Sequence, residues 1–352
     1  MKVLSRWSLA AACAVLLVAC APAAQPAAPS VAGGASGTAP SPPVDLAFRL
    51  NWTKYGEHAF FFVALEKGFY REQGLNVTIN DGSGSATVAK LIGAGTDPIG
   101  YVDTPTMMQA VAAGVPIKSV LVIQQKNPSS VIYRLDNPIR TAKDLEGKKI
   151  AHTAGDSFGA LFPALVAANN LDMSKIQLVS LPTAAAKETA LLQGQVDGMM
   201  GFYNDQPLRM MKNTGVKLSW LKFFDWGVNV LSTGVVVNEE FLKTKPEIVR
   251  KFLAGTVKGI EYTKANPDEA AQIFAKYAGE QGFDKELSRQ EIDETIPLLQ
   301  TPTTQGWPTG CMSAKDWQAS YELLVKYTGL KTGMDPLSFF TNDYLPYKCP
   351  SN

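Results

Sequence analysis

Val44-Asp45-Leu46-Ala47-Phe48-Arg49-Leu50 alternates between apolar and polar positions, the period of a half-buried strand. A helix is predicted over Phe60 to Tyr70, closed by Gly68 or, a little later, by Gly74. Leu75 to Asn80 is the next predicted strand. Gly82-Ser83-Gly84-Ser85 follows it and opens a helix from Thr87 to Gly93. A short strand from Pro98 to Val102 and a helix from Thr106 to Ala113 continue the alternation, which predicts an α/β sheet with parallel pairing. The pattern then restarts. Val120 to Gln125, Val131 to Leu135, Ile176 to Ser180 and Val196 to Phe202 read as strands. A helical turn from Ala142 leads into a strand at Ile150, and helices fall within Gly155 to Asn169 and over Ala184 to Gln193. Val228 to Val237 reads as one strand, long enough to cross between lobes. Helices are expected over Pro246 to Ala265, Pro267 to Ala278, Leu287 to Gln300 and Ala314 to Tyr327. The chain thus reads as two α/β lobes, the first from 44–130 and 235–352, the second from 131–234, with two crossings as the hinge.

The first residues follow another pattern. Lys2 and Arg6 precede an uncharged apolar run from Leu9 to Ala19, too short to span a membrane comfortably as a mature helix. Residues 1–19 are therefore expected to be a signal peptide. The run closes on Leu17-Val18-Ala19-Cys20, which resembles the bacterial lipobox. That resemblance implies cleavage before Cys20, a lipid on its thiol and an extracytoplasmic protein anchored to the cell membrane. An ordinary secretory signal with a chance cysteine is the alternative. Residues 20–43 are Ala, Pro, Gly and Ser with almost nothing to bury, and are expected to be a flexible tether. Cys311 and Cys349 remain as a disulfide candidate in an oxidising compartment, with two free thiols as the other possibility.

Charge and chemistry narrow the function. The 33 basic and 32 acidic residues give a formal net charge of +1, so no overall field attracts nucleic acid. The chain has two histidines, no cysteine nucleophile after maturation, no Gly-x-Ser-x-Gly and no clustered metal-ligand spacing. Binding rather than catalysis is expected, with no cofactor and no metal.

Three phrases carry a family resemblance. Glu66-Lys67-Gly68-Phe69-Tyr70-Arg71-Glu72-Gln73-Gly74-Leu75-Asn76-Val77 resembles the opening of bacterial periplasmic solute-binding proteins. Lys143-Asp144-Leu145-Glu146-Gly147-Lys148-Lys149-Ile150 resembles their entry to the second lobe, and Gln193-Gly194-Gln195-Val196-Asp197-Gly198 a later motif. Leu50-Asn51-Trp52 through His58 resembles the start of the branch that binds thiamine pyrimidine precursors, to which riboflavin-binding lipoproteins also belong. The resemblance implies a type II periplasmic-binding-protein fold. It also implies a monomeric clamp that delivers a small heteroaromatic ligand to an ABC permease and its ATPase subunit. Riboflavin is the first expectation and a formylaminopyrimidine or hydroxymethylpyrimidine precursor the second. A surface lipoprotein without transport function is a further alternative. Gly201-Phe202-Tyr203-Asn204-Asp205 departs from the pyrimidine binders, which often carry Trp and Glu there. A yeast-type pyrimidine synthase shares the fold but uses a cysteine-rich segment that this chain lacks.

Ligands in open α/β sheets sit off the carboxyl ends of strands, and that rule selects candidate contacts. Trp52, Tyr55 and His58 follow the first strand; Trp52 is alternatively a core residue and His58 a packed or capping one. Ser83 and Ser85 lie on a glycine loop at a helix start, which lacks the Gly-Lys-Ser/Thr of a phosphate loop and is alternatively a plain cap. Asp103 and Thr104 follow the third strand, with helix capping as the other role for Asp103. Ser157, Phe158, Tyr203, Asn204 and Trp226 are the second-lobe candidates, Phe158 and Tyr203 as a second aromatic face. Trp220 and Trp307 are expected in the core.

Overall fold

A computed structural model describes residues 42–154 and 156–351. The expected signal peptide, Cys20 and the tether up to residue 41 lie outside the described residues. The first sheet takes β1 (Val44–Arg49), β2 (Leu75–Asn80), β3 (Ile99–Asp103) and β4 (Ile117–Val122), joined through α1 (Ala59–Glu66), α2 (Phe69–Glu72), α3 (Ser85–Gly93) and α4 (Thr104–Ala112). The second takes β5 (Ser129–Arg134), β6 (Lys149–Thr153), β7 (Gln177–Leu181), β8 (Gly198–Phe202) and β9 (Leu218–Lys222), with α5 (Phe158–Ala168), α6 (Ala184–Leu192) and α7 (Gln206–Thr214) between them. The chain then returns as β10 (Thr233–Asn238). It finishes in α8 (Glu239–Thr244), α9 (Pro246–Ala265), α10 (Pro267–Ala278), α11 (Lys285–Thr295) and α12 (Ala314–Thr328).

Strand order is β2-β1-β3-β10-β4 in one sheet and β7-β6-β8-β5-β9 in the other. The βα units pair in parallel, β1 with β2 and β3, β6 with β7 and β8. All-parallel pairing does not hold, because β10 is antiparallel to β3 and β4, and β5 to β8 and β9. The reason is geometric. β5 starts opposite Phe202, the last residue of β8, and β10 starts opposite Asp103, the last residue of β3. A strand that enters from the hinge must run away from the strand ends that point toward it. The expected strand over Val228 to Val237 is accordingly shorter. Ser232 sits in the crossing, its amide on the Gln124 carbonyl at 3.0 Å and its own carbonyl taking the Thr104 amide at 3.0 Å.

α7 and β9 lie outside the elements that the sequence pattern predicts. α7 is capped by Asp205, carries Pro207 in its first turn and stops at Gly215, whose φ of 70° is the left-handed turn glycine favours. β9 is an edge strand of five residues, of which only Leu218 and Leu221 are buried, so its apolar signal is weak.

α1, Ala-Phe-Phe-Phe-Val-Ala-Leu-Glu, is apolar on nearly all sides because it is enclosed between the first sheet and α9 and α10. Phe48 meets Phe61 at 4.5 Å and Phe252 at 4.9 Å between ring centroids. α9 can lie this close because of Gly255 and Gly259: a Cβ at Gly259 would stand 2.3 Å from the Phe60 carbonyl oxygen. A second core runs through both lobes, with α12 packed on α4 and on α5 and Trp317 stacked on Phe340 at 4.9 Å. Cys311 and Cys349 are joined by a disulfide with Cα atoms 5.6 Å apart. It ties the C-terminal tail to the segment before α12.

The bridge spans 38 residues of sequence, and loop closure of that size stabilises by roughly 4 kcal/mol in the chain-entropy model. Cys311→Ser with Cys349→Ser is expected to lower the unfolding free energy measured in urea by about that amount. Reductant should then shift the wild type and leave the double variant unchanged.

Candidate ligand-binding site

The carboxyl ends of β1, β2, β6 and β8 converge where the lobes face each other. After β1 the chain makes a tight loop from Asn51 to His58. The amides of Gly82 and Gly84 bond to the carbonyls of Trp52 and Asn51 at 3.0 and 2.8 Å, so the loop after β2 is laced onto it. A Cβ at Gly82 would lie 2.0 Å from the Leu50 carbonyl oxygen. Close packing of two loops is therefore what this glycine provides.

Between the lobes lies an inner cavity of about 30 Å³, lined by Trp52, Tyr55 and Ser85 from the first lobe and Ser157, Phe158 and Asp205 from the second. That is room for about one water molecule. A larger opening of about 500 Å³ adjoins it, bordered by Trp52, Tyr55, Ser83, Thr153, Glu188 and Arg209. The lobes are shut against each other. Arg209 holds Glu188 through two contacts from Nη2, 2.6 and 2.8 Å, and donates to the Tyr55 hydroxyl at 3.1 Å. Its guanidinium also lies over the Tyr55 ring at 5.2 Å. Lys212 pairs with Asp284 across the lobes.

Carboxyl groups dominate the buried interface. Glu57 accepts from Asn51 at 3.4 Å and from Gln124. Glu291 accepts the Gly56 amide at 2.5 Å, and its other oxygen is buried without a partner. Burial pushes the Glu291 carboxyl up to about 8, with Glu57 and Glu188 adding to the rise. Asp205 is raised well above the usual carboxylate range, by burial first and then by Glu57 and Glu291. Glu188 is raised by burial against the opposing pull of Arg209.

Several sequence candidates do other work. His58 is buried behind the loop. Its Nδ1 accepts the Tyr55 amide at 3.0 Å, which leaves the proton on Nε2, 2.7 Å from Asn51 Oδ1. Asp103 caps α4 through the Thr106 amide and hydroxyl at 3.4 and 3.2 Å and meets Asn127 at 3.5 Å; burial raises its carboxyl to about 7. The Thr104 hydroxyl donates to the Ser232 carbonyl at 2.5 Å. These two residues fix the hinge crossings, since a strand end next to a crossing supplies the polar groups that bind it. Ser85 lines the cavity but spends its hydroxyl oxygen on the Asp103 amide at 3.1 Å. Asn204 bridges the lobes to Thr295 at 2.9 Å. Tyr203 stacks on Trp220 at 6.2 Å and lines a separate cavity of about 590 Å³ on the hinge side, with Phe224, Leu231 and Pro297. It therefore supplies no second face opposite Trp52. Trp226 packs on the second core while its carbonyl accepts from Asn169 at 2.9 Å, away from the cleft. Trp307 is half-buried against the first core.

Lys187, Glu188, Arg209 and Glu291 are not among the candidates the sequence offers, and Asn51, Glu57 and Asp205 stand there only within longer motifs. Asp205 carried a readable signal as the cap of a helix opened by Gln206-Pro207. Among the described residues no group of three or more His, Cys, Asp or Glu is arranged to hold a metal, and no helix is long and apolar enough to cross a membrane.

The family model described as NMT1/THI5 like matches residues 56–270, more than half of the chain. The chain belongs to the NMT1/THI5-like family. The riboflavin-binding protein RibY of Chloroflexus aurantiacus is 25% identical over 339 residues, covering 94% of this chain and 95% of its own. A formylaminopyrimidine-binding protein of Halalkalibacterium halodurans is 22% identical over 272 residues, covering 76% and 81%. The 4-amino-5-hydroxymethyl-2-methylpyrimidine phosphate synthase THI13 of Saccharomyces cerevisiae is 28% identical over 322 residues, covering 87% and 89%. NMT1/THI5-like relatives thus bear the names of binders and of synthases. Among solved structures, the alkanesulfonate-binding protein SsuA from Xanthomonas axonopodis pv. citri superposes with a TM-score of 0.66 at 15% identity, over 86% of this chain and 99% of that one. The fold is that of the periplasmic binding proteins.

Raised carboxyls give a pH signature. Glu291 and Asp103 titrate near 8 and 7 in the folded chain and near 4.5 and 3.8 without the fold. Between about pH 4 and 8 the folded state therefore holds protons that the unfolded chain releases. Stability is expected to fall as pH rises through that window and to level off above it. In urea titrations from pH 4 to 9, Glu291→Gln should flatten the decline between pH 6 and 8; an unaltered slope would place Glu291 outside the linkage.

Proposed function

We propose that this chain is the solute-binding component of an ATP-driven importer, and that it captures riboflavin outside the cell membrane and hands it to a permease. The observation that carries the reading is the pair of adjoining spaces between the lobes: Trp52 and Tyr55 border both the opening of about 500 Å³ and the inner cavity, where Phe158 joins them from the other lobe among buried polar groups. Flat rings with polar neighbours suit a planar heterocycle. Trp52 Nε1 is buried without a partner, a donor free for a ligand acceptor. Closure by the Tyr55–Glu188–Arg209 contacts supports a clamp that ligand binding shifts from open to closed.

A second ligand has its own support. Glu57 and Asp205 both border the inner cavity, and carboxylates accept from amino groups, which favours an aminopyrimidine such as the formylaminopyrimidine or hydroxymethylpyrimidine thiamine precursors. The same carboxylates disfavour anionic solutes.

Titrating the purified protein with riboflavin is expected to quench flavin fluorescence as the ring stacks. Absence of both quenching and calorimetric heat would remove riboflavin, and heat with the pyrimidine alone would install the second ligand. Trp52→Ala should weaken binding by about 1–3 kcal/mol if the indole stacks on the ligand, and unchanged affinity in a folded variant would return Trp52 to the core. The proposed lipid on Cys20 has a separate test. Cys20→Ser is expected to move the protein from the membrane fraction to the soluble one without altering ligand affinity; a changed affinity would contradict a pure anchoring role.

A further inference from the structure

Lys187 on α6 is fully buried, which is rare for lysine. Among the described residues its ammonium makes one hydrogen bond, to the Met200 carbonyl at 2.7 Å. The carboxylate paired with it, Asp156, stands 4.0 Å away. Both Asp156 oxygens are already engaged, one by the Thr153 amide at 2.8 Å and the other by the Phe158 amide at 3.1 Å, so Asp156 chiefly closes the turn into α5. An ammonium offers three donors, and a buried one held by a single carbonyl is an expensive arrangement unless something else satisfies it. Burial accordingly lowers its pKa, against the pull of Asp156, Glu188 and Asp205.

Placement says what that something is. Lys187 and Phe158 both line the inner cavity, and the ammonium lies 5.2 Å from the centroid of the Phe158 ring. The ammonium caps the face of that ring, so a ligand edge that reaches from the adjoining opening into this cavity meets the nitrogen itself. Glu57 and Asp205 border the same cavity. They oppose a net anion and accept an N–H.

We infer that Lys187 is a specificity-determining residue that donates to a ring carbonyl of the ligand, selecting a neutral heteroaromatic with a pyrimidinedione-type edge, an N–H flanked by C=O. This rests on the heterocycle-binding reading above. A carbonyl-free aminopyrimidine presents an amino donor instead, which suits the carboxylates and leaves the ammonium with the poorer partner.

The test compares riboflavin, which carries this edge, with 4-amino-5-hydroxymethyl-2-methylpyrimidine, which has no carbonyl. Lys187→Met keeps the side-chain length and removes the donor. Its riboflavin affinity is expected to fall at least tenfold and its pyrimidine affinity less than threefold. Equal riboflavin affinity in variant and wild type, or an equal loss for both rings, would reduce Lys187 to a tie between α6 and β8 and overturn the inference. Infrared difference spectra of the wild-type protein with riboflavin carrying ¹³C at its ring carbonyls need no variant. The labelled stretch should move below its position in water, and an unshifted band overturns the inference even if Lys187→Met does not fold. A wild type that binds the pyrimidine but not riboflavin also overturns it while sparing the heterocycle reading; binding of neither ring overturns both.

Discussion

When two lobes shut on one another, the charges between them leave water, and the cleft of this chain is organised around that constraint. A lone carboxylate in such a place is unstable, and each acidic group here meets the problem in its own way. Glu188 takes a guanidinium, with Tyr55 completing the group. Glu57 takes amide donors from Asn51 and Gln124. Glu291 and Asp205 have no dedicated cation, and burial raises the proton affinity of both. Opening the lobes would readmit water to these groups. The shut state is therefore held by contacts that tolerate desolvation, with little free space left over.

The hinge follows the same economy. Polar residues at the strand ends, placed where ligand contacts are usually sought, bind the framework instead. Asp103, Thr104 and Asn127 hold the two crossings to each other and to α4. The amides of Gln125 and Lys126 both reach the Leu298 carbonyl at 2.7 and 3.0 Å, which adds the segment after α11 as a third strand of support. Lobe movement is thus confined to a narrow set of directions before any ligand arrives.

Much of the architecture was legible because its signals are periodic. The alternation in β1, the proline-started helices α9 and α10 and the order of βα units translate directly into the two lobes. Pairing direction was not legible, because it depends on which end of a sheet a crossing chain enters. α7 was overlooked although Asp205, Pro207 and Gly215 mark its limits, since its apolar face is short. At the site, strand-end aromatics placed Trp52, Tyr55 and Phe158 on the cleft. The charged partners were out of reach because they lie on helices such as α6 and α11. There Lys187, Glu188 and Glu291 look like ordinary solvent-facing charges, and only the packing around them turns them inward.

The place of β10 has a consequence for the order in which the chain becomes a protein. It lies between β3 and β4, so β4 has no partner in its sheet until β10 arrives. Everything from β5 to β9 separates these strands in the chain, yet β5 and β9 are neighbours, Ser130 opposite Lys222. The second sheet can therefore assemble entirely from its own segment, while α12, the helix that covers α5, arrives last. The first begins earlier and must finish later. A chain emerging from a pore with its N-terminus leading would complete the sheet of its middle before that of its beginning, with the unfinished edges of β3 and β4 exposed meanwhile.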